Sequence, residues 1–140
     1  MKINIFSIGQ NKNKNIFELE KEYLKRLSRF IKIEIKEFKQ EQKLLQSLKE
    51  IKGYIIGLEE RGKKYDTLKF SKLIESQMQN GCDLYFIIAD ADGFNKEVEK
   101  YFDALVSLSE LTFPHEIARM LLCEQLYRGF TILNNHPYHK

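Results

Sequence analysis

The chain has 140 residues, which is enough for one hydrophobic core and predicts a single domain over residues 1–140. With 43% hydrophobic and 31% charged residues, the composition excludes a disordered or fibrous chain. The formal net charge of +3 permits a polyanionic partner such as nucleic acid but does not require one. No apolar run approaches the roughly 18 residues that span a bilayer. We therefore expect a cytoplasmic protein without a membrane partner.

Strand-like and helix-like patterns alternate along the chain. Isoleucines alternate with polar residues at the start of the chain, and apolar spacings of three and four follow from about residue 15. The predicted strands cover Lys2–Ile8, 31–36, 53–58, 83–89 and 104–108. The predicted helices cover residues 15–29, 41–52, 66–78 and 96–102, with a last one beginning around Pro114. Five alternations with long connections predict an α/β fold, a mostly parallel sheet with helices on both faces.

Ligands of an open α/β sheet bind beyond the carboxyl ends of its strands. Four predicted loops lie at that edge, at residues 9–15, 59–64, 90–94 and 109–113. None contains a dinucleotide-binding GxGxxG or a P-loop, and no serine lies in a GxSxG elbow. Dinucleotide, nucleoside triphosphate and hydrolase functions therefore lose their main support. The basic face of the first helix is either solvated or directed at phosphate.

Cysteine and histidine give little indication of a metal. Cys82 and Cys123 lack CxxC spacing, and Cys123 lies in an apolar run where it is expected to pack as a small hydrophobe. His136 and His139 have a spacing of three but no carboxylate or cysteine beside them, so no metal site is expected.

The last third of the chain, residues 107–140, carries most of the reactive side chains. It combines a polar and apolar loop, a long amphipathic helix with two arginines, and a tail with two histidines. The tail either packs on its own helix or reaches into an active site. Arg119 is either exposed or paired with Glu116 or Glu124 on the same helix. Pattern alone thus predicts a small α/β domain with a ligand-binding edge.

Three segments carry a resemblance to a known family: LSELTFPH at 108–115, CEQLYR at 123–128 and NHPYH at 135–139. Together with YLKR at 23–26 they occur in the order and spacing of the RlmH family of ribosomal RNA large-subunit methyltransferases. The chain resembles that family over essentially its full length.

This resemblance implies the SPOUT class of methyltransferases, with a C-terminal trefoil knot in a parallel α/β domain. It also implies S-adenosylmethionine as methyl donor and a homodimer. The implied reaction is methylation of N3 of a pseudouridine in 23S rRNA on the assembled ribosome.

The resemblance also assigns site residues. The implied cofactor-binding residues are Leu58, Ala89, Leu108, Ser109, Glu110, Leu111, Thr112 and Phe113. The implied catalytic residues are Arg128, His136, Tyr138 and His139, and the implied RNA-binding residues are His115 and Arg119. Arg128 and Tyr138 are expected to orient the base and phosphate, with His136 or His139 assisting proton removal.

One departure from the family bears on function. The family carries a Gly-Gly-Pro-Glu-Gly type turn after the fourth strand, whereas this chain has ADADG at residues 89–93. Gly93 is kept and Asp92 stands where an acid is expected, but two glycines are replaced. The alternative to an enzyme is therefore a ribosome- or RNA-binding module of the same fold. A further alternative is a small-molecule-binding α/β domain of another class. It is disfavoured because the motif at residues 135–139 would then have no role.

Overall fold

The computed structural model describes residues 1–90 and 92–140, and in it strands and helices alternate strictly. The strands are β1 (Lys2–Ile8), β2 (Lys32–Phe38), β3 (Tyr54–Lys64), β4 (Leu84–Ile88) and β5 (Ala104–Ser107). The helices are α1 (Lys14–Leu27), α2 (Glu41–Leu48), α3 (Thr67–Gln79), α4 (Lys96–Glu99) and α5 (His115–Leu133).

The five strands form one sheet in the order β2-β1-β4-β3-β5, and every neighbouring pair is parallel. The sheet is covered on both faces. One core packs Ile5 and Phe86 against residues of α1, α3 and α5, such as Leu27 and Leu126. The other packs strand residues against α2 and α4, including Val98. The predicted α/β fold with helices on both faces is confirmed, whereas the trefoil knot stays a prediction.

Strand β3 is longer than expected, so the prediction of a charged loop over residues 59–64 is wrong. Leu58 and Lys63 both pair with Val106 of β5, so the four residues between them leave the ladder before it resumes. A Cβ on Gly62 would lie 2.7 Å from the backbone of β5, so only glycine fits this close approach. The sequence did not indicate this extension, because most side chains of residues 59–64 are charged and exposed and therefore lack the apolar pattern of a buried strand.

Helix boundaries differ from prediction mainly at the carboxyl ends. The second helix ends at Leu48 instead of residue 52, and the fourth ends at Glu99 instead of residue 102. The predicted cap of α3 is confirmed, because the Asp66 carboxylate accepts a hydrogen bond from the Lys69 N–H at 2.8 Å. Within the described residues, no helix is long and apolar enough to span a membrane.

Arg119 lies in the interior and joins three elements. Its side chain is 2% exposed, and it donates to both carboxylate oxygens of Glu20 on α1, at 2.7 and 3.0 Å. A further nitrogen donates to Glu37 at 2.8 Å and to the Ser7 hydroxyl at 3.1 Å. Arg119 thus joins α5 to α1, β1 and β2 in the interior of the protein. The expectation that Arg119 is exposed or paired with Glu116 or Glu124 is therefore wrong, because its partners are Glu20 and Glu37 on other elements. The expected RNA contact of Arg119 stays a prediction.

The arginine also changes the ionisation of its neighbours. Burial alone would raise the pKa of Glu37, but hydrogen bonds from Arg119 and from the Asn11 N–H outweigh it, so the pKa is lowered. Cys123 is fully buried beside this network, as the sequence predicts, and burial raises the pKa of its thiol.

We expect Arg119→Met to lower the free energy of unfolding by about 3–5 kcal/mol, because it leaves the buried Glu20 carboxylate uncompensated. Urea denaturation measures the change. The exposed control Arg29→Met should shift it by less than about 0.5 kcal/mol. Adding Glu20→Gln to Arg119→Met should restore part of the loss, and a double variant as unstable as the sum of both would contradict this account.

Candidate active site

A cavity of about 350 Å³ lies at the carboxyl edge of the sheet, where β4 and β5 end and β3 interrupts its pairing with β5. Leu58 pairs with Ile88 of β4 and with Val106 of β5, which brings the three strands together at the cavity. The residues lining the cavity are Leu58, Glu59, Glu60, Arg61, Ile88, Ala89, Asp90, Asp92, Gly93, Leu108, Ser109, Leu111, Thr112, Phe113 and Ala118. The structure thus brings seven of the eight predicted cofactor-binding residues to one cavity.

Glu110 is the predicted cofactor residue that does not line the cavity. Its carboxylate is exposed and pairs with Lys64, and this contact lowers its pKa. Its neighbours Ser109 and Leu111 line the cavity, and hydrogen bonds within the loop hold this segment in place. The Ser107 hydroxyl donates to the Ser109 carbonyl at 2.8 Å, and the Leu111 N–H donates to the Ser109 hydroxyl at 3.0 Å.

The cavity wall combines apolar and acidic groups. Leu58, Leu108, Phe113 and Ala118 supply apolar surface, and the side chain of Leu111 is 70% exposed at the rim. The ionisable lining residues are Glu59, Glu60, Asp90, Asp92 and Arg61. Four carboxylates against one guanidinium favour a ligand that carries positive charge or many hydrogen-bond donors.

The turn after β4 keeps a hydrogen-bonded form without the family's paired glycines. The Asp90 carboxylate accepts from the Asp92 N–H at 3.2 Å, and its carbonyl accepts from the Gly93 N–H at 3.1 Å. Gly93 has a φ of +77°, a conformation that favours glycine. Ala91, the middle residue of this turn, lies outside the described residues.

Three of the four predicted catalytic residues, Arg128, Tyr138 and His139, form a second cluster at the far end of α5. Arg128 donates to Glu124 at 2.8 Å and to Nδ1 of His139 at 3.1 Å, and its guanidinium lies 4.7 Å from the Tyr138 ring centre. The Tyr138 hydroxyl donates to Glu124 at 3.1 Å and lies 3.2 Å from the hydroxyl of Tyr23. Arg128 and Tyr138 therefore share the Glu124 carboxylate, and His139 joins them through Arg128.

The hydrogen bonds of this cluster limit its acid–base chemistry. Burial, the Tyr23 hydroxyl and the nearby Glu124 carboxylate all raise the pKa of Tyr138, so the phenol stays protonated and acts as a donor. Arginine only donates, so Nδ1 of His139 must carry its lone pair, which leaves the proton of a neutral ring on Nε2. His139 cannot accept a proton on Nδ1 without losing its bond to Arg128.

His136 and His115 lie outside the tail cluster. His136 lines a separate groove of about 470 Å³ with Lys25, Arg26, Arg29, Phe30 and Tyr127, among others. His115 lies 3.1 Å from the Gln10 carbonyl and packs on Gly9, so it holds the loop after β1 against the start of α5. Within the part of the chain that the structure describes, no group of three or more His, Cys, Asp or Glu residues forms a metal site.

Glu124 and Glu59 are site residues that the sequence patterns did not single out. The spacing of four between Glu124 and Arg128 predicts an ion pair on one helix face, and this signal could have found Glu124. No comparable signal marks Glu59, which follows an apolar strand and precedes other charged residues.

Comparison with known proteins identifies the family. The family model described as "Predicted SPOUT methyltransferase" matches residues 1–139. The chain belongs to the SPOUT methyltransferase family. It is 40% identical to the ribosomal RNA large subunit methyltransferase H of Koribacter versatilis, over 99% of this chain and 98% of that protein. The protein of the same name from Chromobacterium violaceum is 33% identical, over 100% and 99% of the two chains.

Solved structures of other methyltransferases share the SPOUT fold. A probable methylase family protein from Haemophilus influenzae matches with a TM-score of 0.62 and 9% identity, covering 99% of this chain and 70% of that one. The SpoU methyltransferase AviRb from Streptomyces viridochromogenes, solved in complex with AdoMet, matches with a TM-score of 0.55 and 10% identity. That match covers 91% of this chain and 57% of AviRb.

We expect Glu124→Gln to loosen the tail, because one carboxylate accepts hydrogen bonds from both Arg128 and Tyr138. Bonds to a charged group contribute about 1.5–3 kcal/mol, so amide exchange in residues 136–140 should accelerate about tenfold or more. Hydrogen exchange measures this, with Glu75→Gln on the exposed side of α3 as control. Unchanged exchange in the tail would show that Glu124 does not anchor it.

Proposed function

We propose that the protein is an S-adenosylmethionine-dependent methyltransferase that acts on large-subunit ribosomal RNA. The observation that carries this proposal is the cavity at the carboxyl edge of the sheet, lined by seven residues that the family resemblance assigns to the methyl donor. Full-length relatives named ribosomal RNA large subunit methyltransferase H support the choice of substrate.

The cavity fits the chemistry of the methyl donor. Leu58, Leu108 and Phe113 offer the apolar walls that an adenine ring requires, and loop backbone groups offer hydrogen bonds. The acidic lining suits a ligand with a sulfonium and an ammonium group. S-Adenosylmethionine supplies the activated methyl group, and AviRb, which shares the fold, was solved with the same cofactor bound.

The finer proposal is methylation of N3 of a pseudouridine in 23S rRNA on the assembled ribosome. Methyl transfer to nitrogen is an in-line displacement, so holding the acceptor at attack distance is most of the task. Arg128 and Tyr138 are donors suited to orienting the base and a phosphate. The N3 proton must also leave. His136 is the better candidate for that step, since the Nδ1 lone pair of His139 is engaged by Arg128.

A basic and aromatic groove supports RNA binding. Lys25 and Arg29 are exposed beside Phe30, Tyr127 and His136, and Arg26 lies over two tyrosine rings. Cations that neutralise phosphates next to rings that stack on bases are the usual elements of single-stranded RNA recognition. His115, at the start of α5, is proposed as a further RNA contact.

The distance between the two clusters supports a homodimer. Ala118 at the cavity and Arg128 at the tail are ten positions apart on α5, about 15 Å at the helical rise. A methyl group cannot be transferred over that distance, so we propose that the tail of one subunit approaches the cavity of its partner.

Light scattering coupled to size exclusion tests the dimer. The expected mass is that of two chains, and Arg128→Ala mixed with a cavity variant should regain part of the activity, because a mixed dimer contains one intact pair of clusters. A fully active monomer would contradict the proposal.

A non-enzymatic RNA-binding module is the alternative function, and the replaced glycines after β4 are the observation that favours it. Calorimetry with S-adenosylhomocysteine separates the two. A wild-type protein without measurable binding would contradict the enzyme, and binding would leave the module without support.

We expect Arg128→Ala and His136→Ala each to lower methylation about 100-fold or more, as is typical when an orienting or proton-transfer group is removed. His139→Ala should lower it similarly if its bond to Arg128 positions the guanidinium. Mass mapping of 23S rRNA from a strain lacking the protein, complemented with each variant, measures the effect. Cofactor binding should persist, and Lys72→Ala on α3 is the control. Unchanged methylation would contradict the assignment.

A further inference from the structure

Glu59 is a buried carboxylate with an unused acceptor. It follows Leu58 at the point where β3 leaves its pairing with β5, and it lines the cavity. Its side chain is 6% exposed. One oxygen is paired with Arg61, whereas the other is shielded from solvent and lacks a partner among the residues that the structure describes.

A buried carboxylate oxygen without a hydrogen-bond partner costs free energy unless a bound ligand supplies the missing donor. A carboxylate removed from water loses its hydration, and buried acceptors in native proteins nearly always have a partner. The other acids at the cavity are solvated, since Glu60, Asp90 and Asp92 are exposed. Among the cavity's acids, Glu59 combines burial, a place in the wall and a free oxygen.

Arg61 is a partner that can leave. Its side chain is 70% exposed, so it is held by little besides the ion pair. The Glu99 carboxylate lies 3.7 Å from the same guanidinium, so Arg61 can pair with Glu99 after only a small movement of its side chain. When another donor replaces Arg61, the guanidinium returns to water and the buried Glu59 carboxylate keeps a partner, so no charge is left both buried and unpaired.

We propose that Glu59 is the polar anchor of the methyl donor, accepting a hydrogen bond from it, and that Arg61 competes for the same carboxylate. The inference rests on the proposed function. The partner is an N–H or O–H donor of the cofactor, which is either the α-ammonium or a ribose hydroxyl. An added Cβ on Gly93 would lie 3.5 Å from Oε1 of Glu59, so the turn after β4 and this carboxylate are neighbours in the cavity wall.

Calorimetric titration with two ligands tests the anchor and identifies the donor. S-Adenosylhomocysteine carries both groups, whereas 5′-methylthioadenosine has the ribose but no ammonium. Glu59→Gln should weaken S-adenosylhomocysteine binding about tenfold or more, as expected for a lost charge-assisted bond. Equal weakening of methylthioadenosine identifies the ribose, and unchanged methylthioadenosine binding identifies the ammonium. The control Glu75→Gln should bind both ligands as the wild type does.

Arg61→Gln separates an anchor from a merely structural ion pair. Removing the competitor should leave affinity unchanged or raise it severalfold, whereas a structural pair predicts the same loss as in Glu59→Gln. Thermal melting of each variant shows that the proteins are folded. Wild-type affinity in Glu59→Gln, or equal losses in both variants, would contradict this inference alone. Absence of binding by the wild type would contradict the proposed function as well.

Discussion

The buried contacts of Arg119 are the constraint on which the rest of the structure depends. One guanidinium on α5 holds α1 through Glu20 and reaches β1 and β2 through Ser7 and Glu37. Glu37 in turn accepts the Asn11 N–H, so the loop after β1 is fixed by the same group. Because α5 carries the cavity wall at one end and the tail cluster at the other, its placement determines both.

Much of the fold was predictable because its signals are local. Alternating and helical apolar spacings predicted the five strands and five helices, and seven of the residues that the family resemblance assigns to the cofactor line one cavity. The partners of Arg119 were not predictable, since Glu20 lies 99 positions away and helix spacing pointed to Glu116 or Glu124. The extension of β3 was missed for a related reason: its pairing with β5 is a backbone contact, and exposed charged side chains do not report it.

The two candidate clusters differ in what a single chain provides. The cavity is built from three adjacent strands and the loops that follow β4 and β5, so one subunit supplies its wall. The tail cluster is built around Glu124, which orders Arg128 and Tyr138 but also occupies their hydrogen-bonding groups. In the proposed function, a substrate phosphate or base would therefore compete with Glu124 for Arg128.

The two cysteines differ in burial, so their reactivity can report on local opening of the fold. Cys123 is buried next to Glu20 and Arg119, and burial raises the pKa of its thiol, whereas Cys82 is exposed after α3. A thiol reagent will therefore modify Cys82 in the native protein but reach Cys123 only after α5 separates from α1. The ratio of the two labelling rates reports how often that separation occurs, without any introduced label.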